Sequence, residues 1–337
     1  MSDIVFERVG AAGLITLNRP NALNALTKPM VREMSAALDE WAVDDGVARV
    51  IIRGEGRAFC AGGDIRHVYE AREDAADFFA AEYENNAKVA AFPKPYVALI
   101  DGVVMGGGVG VSVHGSHRVG GEGHMFAMPE VGIGLVPDVG ATHVLANLSH
   151  HQGRWLALTG ARLDRDAAAA MGLLTHAVAS ERMADALDRA VHGRDLDAAL
   201  DDLAVDAPPA DAAQCAFIDD AFGRATVAEI LDALDDADVD MAAPAAAAMR
   251  EKSPTSLTLA LAAQDRHTGD VFDALVTEYR VVRQILMGHD LYEGIRATVI
   301  DKDKAPRWSP ATLGGVEADA IAAHFAVPDG GDLAVRP

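Results

Sequence analysis

The chain has 337 residues, 50% of them hydrophobic, and a formal net charge of -22 from 51 acidic against 29 basic residues. That length carries a large buried core in one big domain or two, and the acidic excess argues against a nucleic-acid surface and against binding to anionic membranes. An anionic ligand would need a local pocket of N–H groups and a few Lys or Arg. Two cysteines, Cys60 and Cys215, make no disulfide framework and read as small buried side chains in a reducing compartment. Met-Ser-Asp-Ile-Val-Phe-Glu at the start has neither an apolar signal core nor an Arg-rich bias, so a cytoplasmic protein is expected.

Residues 4–9 and 13–17 are short β-rich runs around Gly10, a predicted hairpin, and Asn18-Arg19-Pro20-Asn21 then breaks the pattern. Thr27 is a predicted N-cap with Pro29 in the first turn, and Met30, Met34, Leu38 and Trp41 follow at helical spacing. Residues 47–52 form a continuous apolar run, a strand buried on both faces; strand-helix-strand order implies a parallel, right-handed unit. Residues 54–65 are a glycine-bearing loop opening a helix. The acidic helix predicted over 69–89 includes Glu82, whose charge reads as part of a solvated face.

Residues 95–100 are a buried strand leading into Gly102-Val103-Val104-Met105-Gly106-Gly107-Gly108-Val109-Gly110. Glycines here let the backbone approach a ligand and aim N–H groups at an anion or a carbonyl oxygen gaining charge. The same run also suits a helix packed tightly on a sheet, and both readings stand. It is not a Walker A loop, because no Gly-Lys-Ser/Thr follows. Two glycine loops after two adjacent strands place two sets of N–H groups at one sheet edge, where open α/β sheets bind ligands.

Residues 125–140 are apolar except for Glu130 and Asp138, and Pro129, Gly132, Gly134 and Pro137 make them a compact turn rather than a helix. Burial raises a carboxylate's pKa toward values useful in acid-base or nucleophilic work; for Asp138 an N-cap role is the alternative. Helices follow over 152–159, 164–171 and 183–191, with a short strand over 173–178. Residues 195–244 turn Ala/Asp-rich and suggest a surface insertion or linker. Helices start at Ser253 and at Val271, before a Lys-bearing tail. No G-x-S-x-G elbow accompanies His114, His117 or His143, so no Ser-His-Asp arrangement competes.

These features resemble the crotonase (enoyl-CoA hydratase/isomerase) superfamily over nearly the whole chain, through Asn21-Ala22-Leu23-Asn24, Phe59-Cys60-Ala61-Gly62-Gly63-Asp64 and 94–110. The resemblance implies an α/β spiral of ββα units with a C-terminal helical region: an acyl-CoA-binding core over 1–197, a helical insertion or linker over 198–252 and C-terminal helices over 253–337. It also implies that the peptide N–H groups of Gly63 and Gly107 grip the thioester carbonyl. Backbone around Arg57, Ala58, Phe59, Ala61, Asp64 and Ile65 would lie near the adenine, and Glu82 would line the pocket. No metal and no cofactor beyond the substrate's own CoA is implied. Superfamily members assemble as trimers or pairs of trimers, so a homo-oligomer is expected.

Hydratases of this superfamily use two glutamates, one directly after the oxyanion glycines; here that position is Gly110, and Glu130 stands alone. Glu130 with Asp138 matches the dienoyl-CoA isomerases and the 3-hydroxyisobutyryl-CoA hydrolases. Ser253-Pro254-Thr255-Ser256-Leu257, Glu278-Tyr279-Arg280, Gly288-His289-Asp290 and 293–308 resemble the hydrolases. Thioester hydrolysis is thus the expected activity, with Glu130 as nucleophile or general base and Asp138 positioning the substrate. A hydratase or isomerase, or a silent acyl-CoA binder, is the alternative.

Overall fold

The computed structural model describes residues 2–336, apart from the side chain of residue 73. β1 (Ile4–Val9) and β2 (Ala12–Leu17) form the predicted antiparallel hairpin, and every residue of β2 is buried. Ile15 and Leu17 face the main core together with Met30, Met34 and Leu38 of α1 (Lys28–Val43), whereas Ala12 and Leu14 enter a smaller core on the sheet's other face. Thr27 caps α1, its hydroxyl accepting from the Met30 N–H at 3.4 Å. β3 (Arg49–Gly54) then pairs parallel with β2, as strand-helix-strand order requires.

From β3 the chain crosses at once into a second sheet through β4 (Ala58–Cys60), a strand of three residues inside the stretch expected to be a loop. Such a strand is too short to show a period. α2 (Ile65–Glu70) and α3 (Ala75–Ala90) replace the single acidic helix expected over 69–89, because Ala71 leaves helical geometry at φ -113, ψ 60. β5 (Tyr96–Ile100) returns to the first sheet beside β3, β6 (Val103–Met105) lies beside β4 in the second, and α4 (Gly107–Gly110) is a single turn. β7 (His117–Gly120) and β8 (Met125–Ala127) repeat the step, pairing with β5 and β6. Each circuit thus lays one strand in each sheet and advances by one strand, the spiral of ββα units.

α5 (Ala141–Ala146) and α6 (Gln152–Thr159) follow, then β9 (Leu163–Asp164), α7 (Arg165–Ala170), β10 (His176–Ala177) and α8 (Met183–His192). The two sheets are ordered β1-β2-β3-β5-β7-β10 and β4-β6-β8-β9. Composition suggests an insertion or linker of mixed helical character beyond this point, and the structure has helices there: α9 (Leu196–Asp201), α10 (Ala212–Phe222), α11 (Val227–Asp235) and α12 (Ala242–Arg250). Their Asp219, Asp220, Asp232 and Asp235 face solvent, while Ile218, Phe222, Ile230 and Met249 enter the main core. Alanine favours the helical backbone and its small side chain lets neighbouring helices close up, so this composition marks packing here. α13 (Pro254–Arg266), α14 (Val271–Ile285), α15 (Asp290–Ile295) and α16 (Ala318–His324) complete the chain, with α14 against α3 and α5.

Candidate active site

Loops after β4 and β6 meet at a cavity of about 990 Å³. Leu26 forms a parallel bridge with Gly63: the Leu26 N–H donates to the Gly62 carbonyl at 2.9 Å and the Asp64 N–H to the Leu26 carbonyl at 2.8 Å. In that pattern the residue between, Gly63, turns its own N–H away from the bridge. Gly106 adopts φ 49, ψ -123, a conformation that needs glycine, and thereby starts α4 so that the Gly107 N–H has no partner within the helix. Among the described residues, neither N–H donates to a protein acceptor. A Cβ on Gly107 would stand 3.2 Å from the Gly63 nitrogen and collide with the Glu82 carboxylate; one on Gly63 would stand 2.9 Å from Phe78 Cζ. Two unspent N–H groups therefore share one small space, an arrangement suited to a single oxygen gaining negative charge.

The glycine run serves its other reading as well. A Cβ on Gly108 would stand 2.8 Å from Cys60 Cβ, and one on Gly110 2.6 Å from Asn86 Nδ2. Gly106 and Gly107 open the cavity; Gly108 and Gly110 permit close packing behind it.

Opposite the amides lie carboxylates. Glu82, Glu130, Asp138 and Glu278 are 2%, 6%, 3% and 1% exposed, so Glu82 is no part of a solvated face. α3 runs between α1 and α14 and turns Phe78, Glu82, Tyr83 and Asn86 inward. Glu130 opens a short 3-10 turn (Glu130–Ile133), and its Oε1 lies 3.0 Å from where a Cβ on Gly106 would be. The Tyr83 hydroxyl donates to Asp138 Oδ2 at 2.6 Å. Asp138 caps nothing: the residue flanking α5 is Gly140, and the carboxylate that accepts from the Gly140 and Thr142 N–H groups, at 2.6 and 2.8 Å, is Glu278.

Burial drives these groups toward their neutral forms. Asp138 is pushed up to about 7 by burial, against the lowering pull of the Tyr83 hydroxyl. Glu278 is likewise pushed up to about 7 by burial, against its bond from Gly140. Glu130 and Glu82 rise well above the usual carboxylate range, by burial first and by the Asp138 charge second. Glu82 Oε1 and Glu130 Oε2 have no hydrogen-bond partner, and such orphaned buried acceptors suit a ligand or water.

The structure brings Gly63, Gly107, Glu82, Glu130 and Asp138 to one cavity, with Ala61 and Ile65 in its wall. It leaves Arg57, Ala58, Phe59 and Asp64 outside that wall: Ala58 and Phe59 are buried in β4, Arg57 is exposed, and Asp64 pairs with Arg19 at 3.1 Å. The N–H groups of Ala61, Asp64 and Ile65 are spent on the carbonyls of Leu23, Leu26 and Gly63, so they offer no donors to a nucleobase. Sequence reasoning missed Tyr83 and Glu278, and also the far wall: Lys252 beside Gly132, and Lys304 and Trp308 of the tail. The Trp308 indole N–H donates to the Glu251 carbonyl at 3.0 Å, strapping the tail to the end of α12. Among the described residues no group of three or more His, Cys, Asp or Glu could hold a metal, and no helix is long and apolar enough to cross a membrane.

Residues 12–325 match the family described as enoyl-CoA hydratase/isomerase. The chain belongs to that family. Among enoyl-CoA hydratase/isomerase relatives, the 3-hydroxyisobutyryl-CoA hydrolase, mitochondrial, of Danio rerio is 41% identical over 98% of this chain and 91% of its own length. The Homo sapiens protein of the same name is 38% identical over 98% and 90%. Two solved structures superpose over nearly the full chain. A carnitinyl-CoA dehydratase from Mycobacterium thermoresistibile has a TM-score of 0.94 at 39% identity, covering 99% of both chains. An enoyl-CoA hydratase from Rhodobacter sphaeroides 2.4.1 has 0.91 at 39%, covering 99% of this chain and 100% of its own. The crotonase-like spiral expected from the sequence is thus the fold of the chain.

Proposed function

We propose that this chain hydrolyses the thioester of 3-hydroxyisobutyryl-CoA to 3-hydroxyisobutyrate and free CoA, a step of valine breakdown. The observation that carries the reading is the Glu130 carboxylate, with one oxygen unpartnered, facing the glycine run whose Gly63 and Gly107 N–H groups are unspent. The two N–H groups form an oxyanion hole for the thioester carbonyl, each donor contributing on the order of 3 kcal/mol to the transition state. Glu130 attacks the acyl carbon directly or through a water. In the direct route a C–O bond forms, the C–S bond breaks, and the thiolate leaves with the bonding pair and takes a proton to become free CoA. Water then opens the acyl-glutamyl anhydride, releasing the acid and restoring the carboxylate. Asp138, held by Tyr83, and Glu82 face the acyl group and orient its hydroxyl. Lys252 and Lys304 suit the anionic part of CoA.

The two solved neighbours are named as a dehydratase and a hydratase. Gly110 speaks against hydration here, because the space a side chain would need at that position is filled by Asn86 and Val139. The cytoplasmic location and the trimer or pair of trimers belong to the same proposal; the curated relatives' names say mitochondrial of those proteins, and cell fractionation and sedimentation decide both. The function itself is tested by free-thiol detection on a panel of short acyl-CoA thioesters with wild type and Glu130→Gln. The expected result is release from 3-hydroxyisobutyryl-CoA that falls by about a thousandfold or more in Glu130→Gln with CoA binding retained. Unchanged release in the variant, or absorbance change at an acyl double bond without free thiol, rejects the hydrolase.

A further inference from the structure

Val139, directly after Asp138, sits at φ 58, and Gly140 follows at φ 81. A β-branched residue in the left-handed region is an outlier that persists only where its surroundings over-determine it. Three hydrogen bonds do so. His114 donates through Nε2 to the Val139 carbonyl at 2.7 Å, and Glu278 accepts from the Gly140 and Thr142 N–H groups at 2.6 and 2.8 Å. Glu278 reaches this turn from α14, and among the described residues no Lys or Arg pairs with it. Each oxygen takes one of these bonds, Oε2 from Gly140 and Oε1 from Thr142, which an amide with its single acceptor oxygen cannot match, so the turn is held by a carboxyl group with no cation to offset its charge.

Its surroundings bring that charge close to the site. Facing Glu278 and the turn are Asp138, Glu82 and Tyr83 of α3, His114, and Thr142 and His143 of α5; α13 adds His267, bonded to His143 at 2.9 Å, and α16 the half-buried His324. Burial holds His114 neutral, at about 4, and keeps Tyr83 protonated. Burial pushes Asp138 and Glu278 each up to about 7, the Asp138 charge raises Glu278 further, and by linkage a charged Glu278 opposes the ionisation of Asp138 to the same degree.

We propose that Glu278 is a positioning residue for Asp138: it clamps the strained turn behind that carboxylate and, through its own charge, opposes the charge of Asp138. The proposal rests on the thioesterase reading above and adds to it a control element on the C-terminal helices.

The test is the pH profile of kcat/KM for thiol release in wild type, Glu278→Gln and Glu278→Asp. Glutamine keeps the size and the bond from one N–H but removes the charge and turns its own NH2 on the other N–H. The rising limb of the profile is expected to move to lower pH by about half a unit or more, with CoA affinity unchanged. Aspartate keeps the charge but shortens the reach; the limb is expected to stay, while kcat falls about tenfold or more with KM nearly constant. A folded Glu278→Gln enzyme whose limb does not move overturns the proposal. Should glutamine prevent folding, an aspartate variant with wild-type kcat overturns it equally. Wild-type protein that releases thiol from no 3-hydroxyacyl-CoA sinks the hydrolase reading together with this one, an outcome distinct from an active enzyme with an unmoved limb.

Discussion

The two sides of the cleft are built on opposite principles. On the amide side, Gly63 and Gly107 present N–H groups fixed by a parallel bridge and by the first turn of α4, and no atom there titrates. On the carboxylate side, Glu82, Glu130, Asp138 and Glu278 are buried together, and Asp138 and Glu278 ionise only near 7. The first side depends on the absence of side chains, the second on charge held out of water. Geometry alone therefore sets what the amides contribute, whereas pH sets what the carboxylates contribute.

Substitutions that break one side and spare the other sharpen this contrast. The largest effect among these variants is expected from Gly63→Ala, whose methyl meets Phe78 Cζ at 2.9 Å while staying 3.9 Å from Glu82 Oε1. Thiol release should fall about a hundredfold to a thousandfold with the shape of its pH profile unchanged; a shifted profile would show that the amide side titrates after all. Asp138→Asn should cost less in rate, about tenfold to a hundredfold, and should change stability in the opposite sense. The folded-state pKa of Asp138 is raised from 3.8 to about 7, so the folded chain holds a proton that the unfolded chain has given up. Its stability is full below about pH 4 and declines as pH rises through about 7. Denaturant unfolding at about pH 8 should therefore find Asp138→Asn more stable by on the order of 1–2 kcal/mol, the two proteins converging in acid. Tyr83→Phe should do least. Loss of its 2.6 Å bond removes the pull that lowers the Asp138 pKa, so the rising limb should move to higher pH by about half a unit, with kcat within about tenfold of wild type.

Local signals explain what could be read from the sequence. Thr27, the hairpin around Gly10 and the apolar strand runs are decided by neighbours a few residues away, and each stands where its spacing indicates. Glu130 was visible because Pro129 and Gly132 exclude a helix around it, leaving a carboxylate in an apolar turn. Glu82 is not visible in its local pattern, where an acidic residue on an acidic helix looks solvated; the family resemblance alone points to it, and the placement of α3 between α1 and α14 turns it inward. Glu278 was less legible still, since its partners lie 138 and 136 positions away and no local pattern connects them. The break at Ala71 and the strand Ala58–Cys60 are too short to register as a period.

The cleft that the first 138 residues open is walled by Lys304, Ala305, Pro306 and Trp308. The same cluster of buried side chains joins Ile15 and Val104 of the spiral to Leu257, Leu275 and Ile321 of the last helices, so the far end of the sequence completes both the core and the cavity wall.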